Sequence, residues 1–138
     1  MAYWLFKTEP ETWSWQQQKK MGDKGEPWTG VRNFQAAGNM KKMARGDQGF
    51  FYHSGSERAV VGIVEVIGAY RADPTDPSGR FGAVVVKAVR DMPKPVTLGE
   101  VKLDSALGNM VLAKNSRLSV QPVTPAEWKR ICALGGIA

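Results

Sequence analysis

The sequence predicts a small α+β domain in which about five or six strands form a barrel-like mixed sheet with short flanking helices. Three observations carry this. Apolar, β-branched or aromatic runs of strand length recur at 2–7, 49–53, 60–70, 81–89 and 118–123. Gly62 and Gly68 interrupt the longest run, where a missing side chain permits the bulges that bend a sheet. The helical stretches are short and irregularly placed, without the strand–helix–strand rhythm of a parallel open sheet. At 138 residues the chain is long enough to bury a real core, and it reads as one domain over 1–138.

Each element has a local cause. Residues 2–7 put Tyr3 and Leu5 on one side and Trp4 and Phe6 on the other, so this strand is expected inside the sheet. Ser14 and Gln17 form a capping box that starts a short helix, ending near Met21 before Gly22. Trp28 falls on a short extended segment, and Asn33 then caps a helix expected over 34–45. On a 3.6-residue wheel Ala36, Ala37, Met40, Met43 and Ala44 share the inward face, opposite Gln35, Asn39, Lys41, Lys42 and Arg45. Gly46-Asp47 is a turn, and Phe50-Phe51-Tyr52 is a strand closed by Ser54-Gly55-Ser56. Loop residues 73–79 separate the next two strands. Thr97 and Glu100 box the start of a short helix toward Leu107. Thr124, Pro125 and Glu127 mark the start of the last helix, Gly135-Gly136 its end, and Trp128, Ile131 and Leu134 its inward face.

Composition narrows the chemistry. Nineteen Lys and Arg against 13 Asp and Glu give a net charge of +6, a balance that favours polyanions such as nucleic acid. With Cys132 and His53 each the sole residue of its type, no internal disulfide and no usual transition-metal constellation is available. No cofactor is expected: the glycine-rich phosphate motifs are absent. No stretch approaches the ~20 apolar residues of a membrane span, and the first residues lack a secretory pattern. A cytoplasmic monomer without membrane or metal partners is the expectation.

The richest stretch is Trp28 to Gln35. A flat ring can stack a base, an amide such as Asn33 can meet a base edge, and Arg32 can meet a phosphate. From Pro27 to Gly46 the chain carries Arg32, Lys41, Lys42 and Arg45 and no acid, and 105–126 is a second acid-free segment with Lys114 and Arg117. The plainer reading makes Trp28 core, Asn33 a cap and the cations a solvated face, and composition alone favours it. Trp28, Tyr52, Tyr70 and Phe81 could converge on one pocket or be ordinary core. His53 and Ser54 alternate across a strand and are poorly placed to share a proton, so His53 is read as structural or ligand-facing. Thr8 between Lys7 and Glu9 could serve as a nucleophile, or could satisfy backbone groups before Pro10.

Taken together, Tyr3 to Pro10, Trp28 to Asn33, Phe50 to Ser54, Ala69-Tyr70 and Ser116 to Val123 resemble the EVE domain family. The resemblance runs from residue 3 to the final helix. It implies a PUA-like β-barrel related to the YTH readers, and a non-enzymatic module that binds a modified base of DNA or RNA, notably a modified cytosine. It also implies roles: Trp28 as the main stacking ring, with Asn33, Lys7 and Thr8 as polar wall. Tyr52, His53, Ser54 and Phe81 would lie near the pocket, with Arg32, Lys41, Lys42 and Arg117 toward the backbone. The chain departs from the family pattern at Phe34, Ala37, Gly38 and Phe81, the last where many members carry tryptophan. The alternative is a nucleobase-modifying hydrolase like the ASCH amidohydrolases, which use lysine, threonine and glutamate; Lys7, Thr8 and Glu9 supply those types.

Overall fold

The computed structural model describes residues 1–115 and 117–137. Ser116, the first residue of the last motif above, lies outside them. Strand β1 (Tyr3–Thr8), helix α1 (Trp15–Lys20), β2 (Glu26–Pro27), α2 (Phe34–Lys41), β3 (Gln48–His53), β4 (Ala59–Ala72) and β5 (Gly82–Thr97) come first. Then follow α3 (Leu98–Leu103), α4 (Val111–Lys114), β6 (Val120–Val123) and α5 (Pro125–Leu134). The six strands form one mixed sheet in the order β2-β5-β4-β3-β1-β6. Only β1 and β3 pair in parallel among the described ladders.

The ladder does not close into a barrel, and α2 shows why. This helix packs against β6 at one end of the sheet and β5 near the other. Four flat strand steps would separate those strands by roughly 19 Å, wider than a helix. The sheet must therefore curl around α2, and the helix takes the place a closing strand would occupy. Its Asn39 amide donates to the β6 carbonyl of Val120 at 2.8 Å, satisfying an edge acceptor. Asn39 was expected to face outward; it is buried because that acceptor needs a donor. The curl uses the two glycines the sequence marked: the β4–β5 register slips around Gly62 and Gly68.

Both faces of the sheet are covered, as the apolar alternation of β1 required. Trp4 and Phe6 join Trp28, Phe51, Val64 and Met40 inside the curl, while Leu5, Phe50, Tyr52 and Ile63 meet Leu107, Leu112 and Ile131 on the other face. All three capping boxes form as expected, at Ser14, Thr97 and Thr124.

Several boundaries differ from expectation. Helix α2 ends at Lys41 rather than at 45: Lys42 and Met43 turn back to Asn39 and Met40 by tight three-residue bonds. Ala44 is exposed, and its N–H donates to buried Asp47. Strand β5 runs on to Thr97 through Pro93 and Pro95, because no ladder pair falls between Asp91 and Val96 and the prolines give up no donor. Helix α4 has no side-chain cap, so nothing in the sequence announced it.

Candidate functional site

A pocket of about 270 Å³ opens where the end of β1, the turn before α1 and the segment after β2 meet. Small-molecule sites usually measure ~300–1,000 Å³, so this one suits a compact planar ligand. Trp28 is its inner aromatic wall. The Trp28 N–H donates to Val84 on β5 at 2.8 Å, and its ring is wedged edge-on against Phe6 and Phe51, with centroids 5.1 and 5.6 Å away. That packing leaves Trp28 only 7% exposed.

Trp13 is a second indole in the lining, and the sequence reading passed over it. Its N–H donates to Gln18 Oε1 at 2.9 Å, and the Gln18 amide donates onward to Val86 at 3.1 Å. Gln18 is fully buried in a helix that otherwise reads as polar. A half-buried wall is thus pinned to β5 through α1. The available signal was the Trp13-Ser14 pair, which sets an aromatic just outside a helix cap. Glu26 also lines the pocket, one residue before the acid-free stretch begins.

The far rim is held by Asp73. Its buried carboxylate accepts from Gly30 N–H at 2.9 Å and from the Arg32 guanidinium at 3.1 Å through one oxygen, and from the Thr75 N–H and hydroxyl, each at 2.7 Å, through the other. Gly30 has φ +85°, a conformation other residues resist, which lets its N–H point at that carboxylate. Burial alone would raise the Asp73 pKa; the bonds from Thr75, Gly30 and Arg32 outweigh it and hold the group below the usual carboxylate range. Asp76, in the same loop, is held at about 2, chiefly by the Ser78 hydroxyl.

These shifts set an acid limit. A carboxyl whose folded pKa lies below its unfolded ~3.9 stabilises fully above that value and loses its contribution as pH falls through the folded pKa. For Asp76 the loss falls between about pH 4 and about 2. Urea midpoints measured across pH 5 to 2 should drop with acid in the wild type and drop less in Asp76→Asn. Equal slopes would contradict the assignment.

Of the residues singled out from the sequence, Lys7, Thr8, Trp28 and Arg32 line the pocket. Lys7 and Thr8 leave β1 on alternate sides. The Lys7 ammonium lies 5.5 Å over the Tyr52 ring, and burial lowers its pKa. The Thr8 hydroxyl lies within hydrogen-bond distance of the Trp13 carbonyl (3.1 Å) and the Glu9 carbonyl (3.3 Å), so its proton is directed to the backbone. Arg32 braces the rim: it also donates to Thr75 Oγ1 at 3.0 Å, and its side chain stays 41% exposed.

The remaining residues sit outside the lining. Asn33 caps α2, accepting from Ala36 N–H at 2.9 Å. Tyr52 is buried in the opposite core cluster. His53 is structural: Nε2 accepts from Trp15 N–H at 3.0 Å, which leaves Nδ1 to donate to Glu57 at 2.8 Å. Ser54 N–H donates to the Thr8 carbonyl at 2.9 Å. Phe81 lies under the Arg32 guanidinium at 5.7 Å and stacks on Phe34. Lys41 lies over the Tyr70 ring at 5.6 Å, whereas Lys42 and Arg117 are exposed. Among the described residues no group of three or more His, Cys, Asp or Glu could hold a metal ion, and no helix is long and apolar enough to cross a membrane.

A curled mixed sheet with two tryptophans lining a small polar-rimmed pocket defines a candidate site for a compact planar ligand. The EVE domain family profile matches residues 2–134, and the chain belongs to that family. The structure of protein Atu2648 from Agrobacterium tumefaciens superposes with a TM-score of 0.96 at 49% identity, covering 100% of this chain and 95% of that one. Human THYN1 in complex with 5-methylcytosine-containing DNA superposes with a TM-score of 0.91 at 29% identity, covering 100% and 99%. The YTH domain of Zygosaccharomyces rouxii MRB1, solved with N6-methyladenosine RNA, shares the fold, with a TM-score of 0.60 at 17% identity over 97% and 86%. The fold is thus the PUA-like one that the resemblance implied, with its strand ladder left open.

Proposed function

We propose that this chain is a non-enzymatic reader of a modified nucleobase, most directly a modified cytosine, held in the pocket after leaving its strand. The observation that carries the reading is the pairing of Trp13 and Trp28 on a pocket of about 270 Å³, in a chain similar over its whole length to a protein solved with methylated DNA. Two indoles supply stacking faces, worth ~1–3 kcal/mol per base. Glu26 offers an acceptor for the exocyclic amine of cytosine, and the end of β1 at Thr8 offers polar contacts. Lys42 and Arg117, with Lys41, supply backbone contacts, and binding then weakens steeply with salt. Cytoplasmic, monomeric action belongs to the same reading.

The hydrolase alternative needs Thr8 to give its proton to Lys7. The Thr8 hydroxyl instead faces two carbonyl oxygens, and Lys7 leaves the strand on the other side. The geometry supports binding over turnover.

The test is a fluorescence-anisotropy titration with matched DNA and RNA oligonucleotides carrying cytosine, 5-methylcytosine or 5-hydroxymethylcytosine. One modified oligonucleotide should bind tightest, and Trp13→Ala should weaken it about five- to 150-fold while the salt slope persists. Equal affinity for all of them would overturn the reading.

A further inference from the structure

We infer that the outward face of Phe34 is a second stacking platform, occupied by the base next to the one held in the pocket; this rests on the reading above. Phe34 is 67% exposed, one of few large apolar side chains on the surface. A lone exposed phenyl is ordinary. This one is not alone: its inner face stacks on Phe81, with centroids 4.8 Å apart and planes at 29°, and Phe81 is only 7% exposed. The ring is thereby held in a fixed plane with its other face toward water.

The shelf is continuous with the pocket. Arg32 lines the pocket and lies 5.7 Å over the Phe81 ring, so guanidinium, Phe81 and Phe34 follow one another outward from the rim. Arg32 and Phe34 are two residues apart, at most about 7 Å of chain, a span of no more than one to two base steps (~3.4 Å each). A base held in the pocket would leave its neighbour within reach of Phe34.

The surroundings select a nucleic acid over an apolar partner. The segment from Pro27 to Gly46 has no acid, and Arg80, exposed, adjoins Phe81. Of the two carboxylates of the neighbouring loop, Asp73 is paired with Arg32, and Asp76 keeps its charge but turns its oxygens to Ser78 and the Phe81 N–H. An aromatic face amid cations is the usual platform for a base and its phosphate.

The test compares three ligands by anisotropy or competition: 5-methylcytidine monophosphate, a short single-stranded oligonucleotide with one central 5-methylcytosine, and the same oligonucleotide with abasic sites flanking it. Phe34→Ala should weaken the intact oligonucleotide about five- to 150-fold and leave the monophosphate unchanged. The wild type should lose a similar factor on the abasic ligand, and Phe34→Ala should show no further loss there. The abasic arm needs no variant, so a folding defect could not mask the result. Unchanged wild-type affinity for the abasic ligand, or equal losses for monophosphate and oligonucleotide in the variant, would overturn the platform. Absence of any preference for methylated over plain cytosine would instead overturn the pocket reading. The abasic penalty would then still report whether a base sits on Phe34.

Discussion

Replacing Trp28 by alanine is expected to remove both base preference and a large share of stability. Trp28 is core and wall at once: its ring fills space between Phe6 and Phe51 and its free side closes the pocket. Truncating a buried tryptophan costs about 3–5 kcal/mol, a large fraction of the ~5–15 kcal/mol of a typical domain. Urea unfolding followed by circular dichroism measures the first effect. Titration with methylated and plain oligonucleotides, at a temperature where the variant stays folded, measures the second. The expected result is a common, weak, salt-sensitive affinity for both ligands. A folded Trp28→Ala protein that still prefers the methylated oligonucleotide would show that the base binds elsewhere.

Asp73→Ala is expected to be the next most damaging change, although Asp73 touches no pocket surface. It removes the acceptor for Gly30 N–H and for both Thr75 donors, and it releases Arg32. Gly30, Arg32 and Thr75 are all exposed residues whose freed donors can return to water, so each lost bond costs only its net contribution, ~0.5–1.5 kcal/mol, least for Arg32. A total loss of about 2–4 kcal/mol follows. Freed from Asp73, the Gly30–Arg32 rim no longer holds the pocket mouth, so modified-base affinity should fall more than non-specific affinity for plain oligonucleotide. Thr75→Ala, which deletes the hydroxyl shared by Arg32 and Asp73 but leaves the Gly30 and Arg32 bonds to Asp73, should lose far less of either. Equal binding losses in the two variants would sink the assignment of rim control to Asp73.

The local elements were legible because their causes are local. A capping box such as Thr124 and Glu127 is settled within four residues, and the double-sided apolar pattern of β1 forces an interior strand whatever the rest of the chain does. The candidate site was only partly legible. Trp28, Arg32, Lys7 and Thr8 meet, but Trp13 reaches the same space from another element, held by a buried glutamine. Asn33 caps α2 through Ala36, as the helix reading had it, and His53, left open between a structural and a ligand-facing role, bonds Trp15 and Glu57 outside the pocket lining.

By itself the sequence determined where most strands lie, the three capping boxes, the basic balance, and the motifs by which the family is recognised. The tertiary structure decided which side chains share the pocket, that Arg32 is tied to a carboxylate 41 residues away, and that the sheet stays open around α2. The division has a physical reason. Periodicity and capping act over a few residues, whereas a pocket wall, a buried carboxylate and the curl of a sheet depend on partners that only folding brings together.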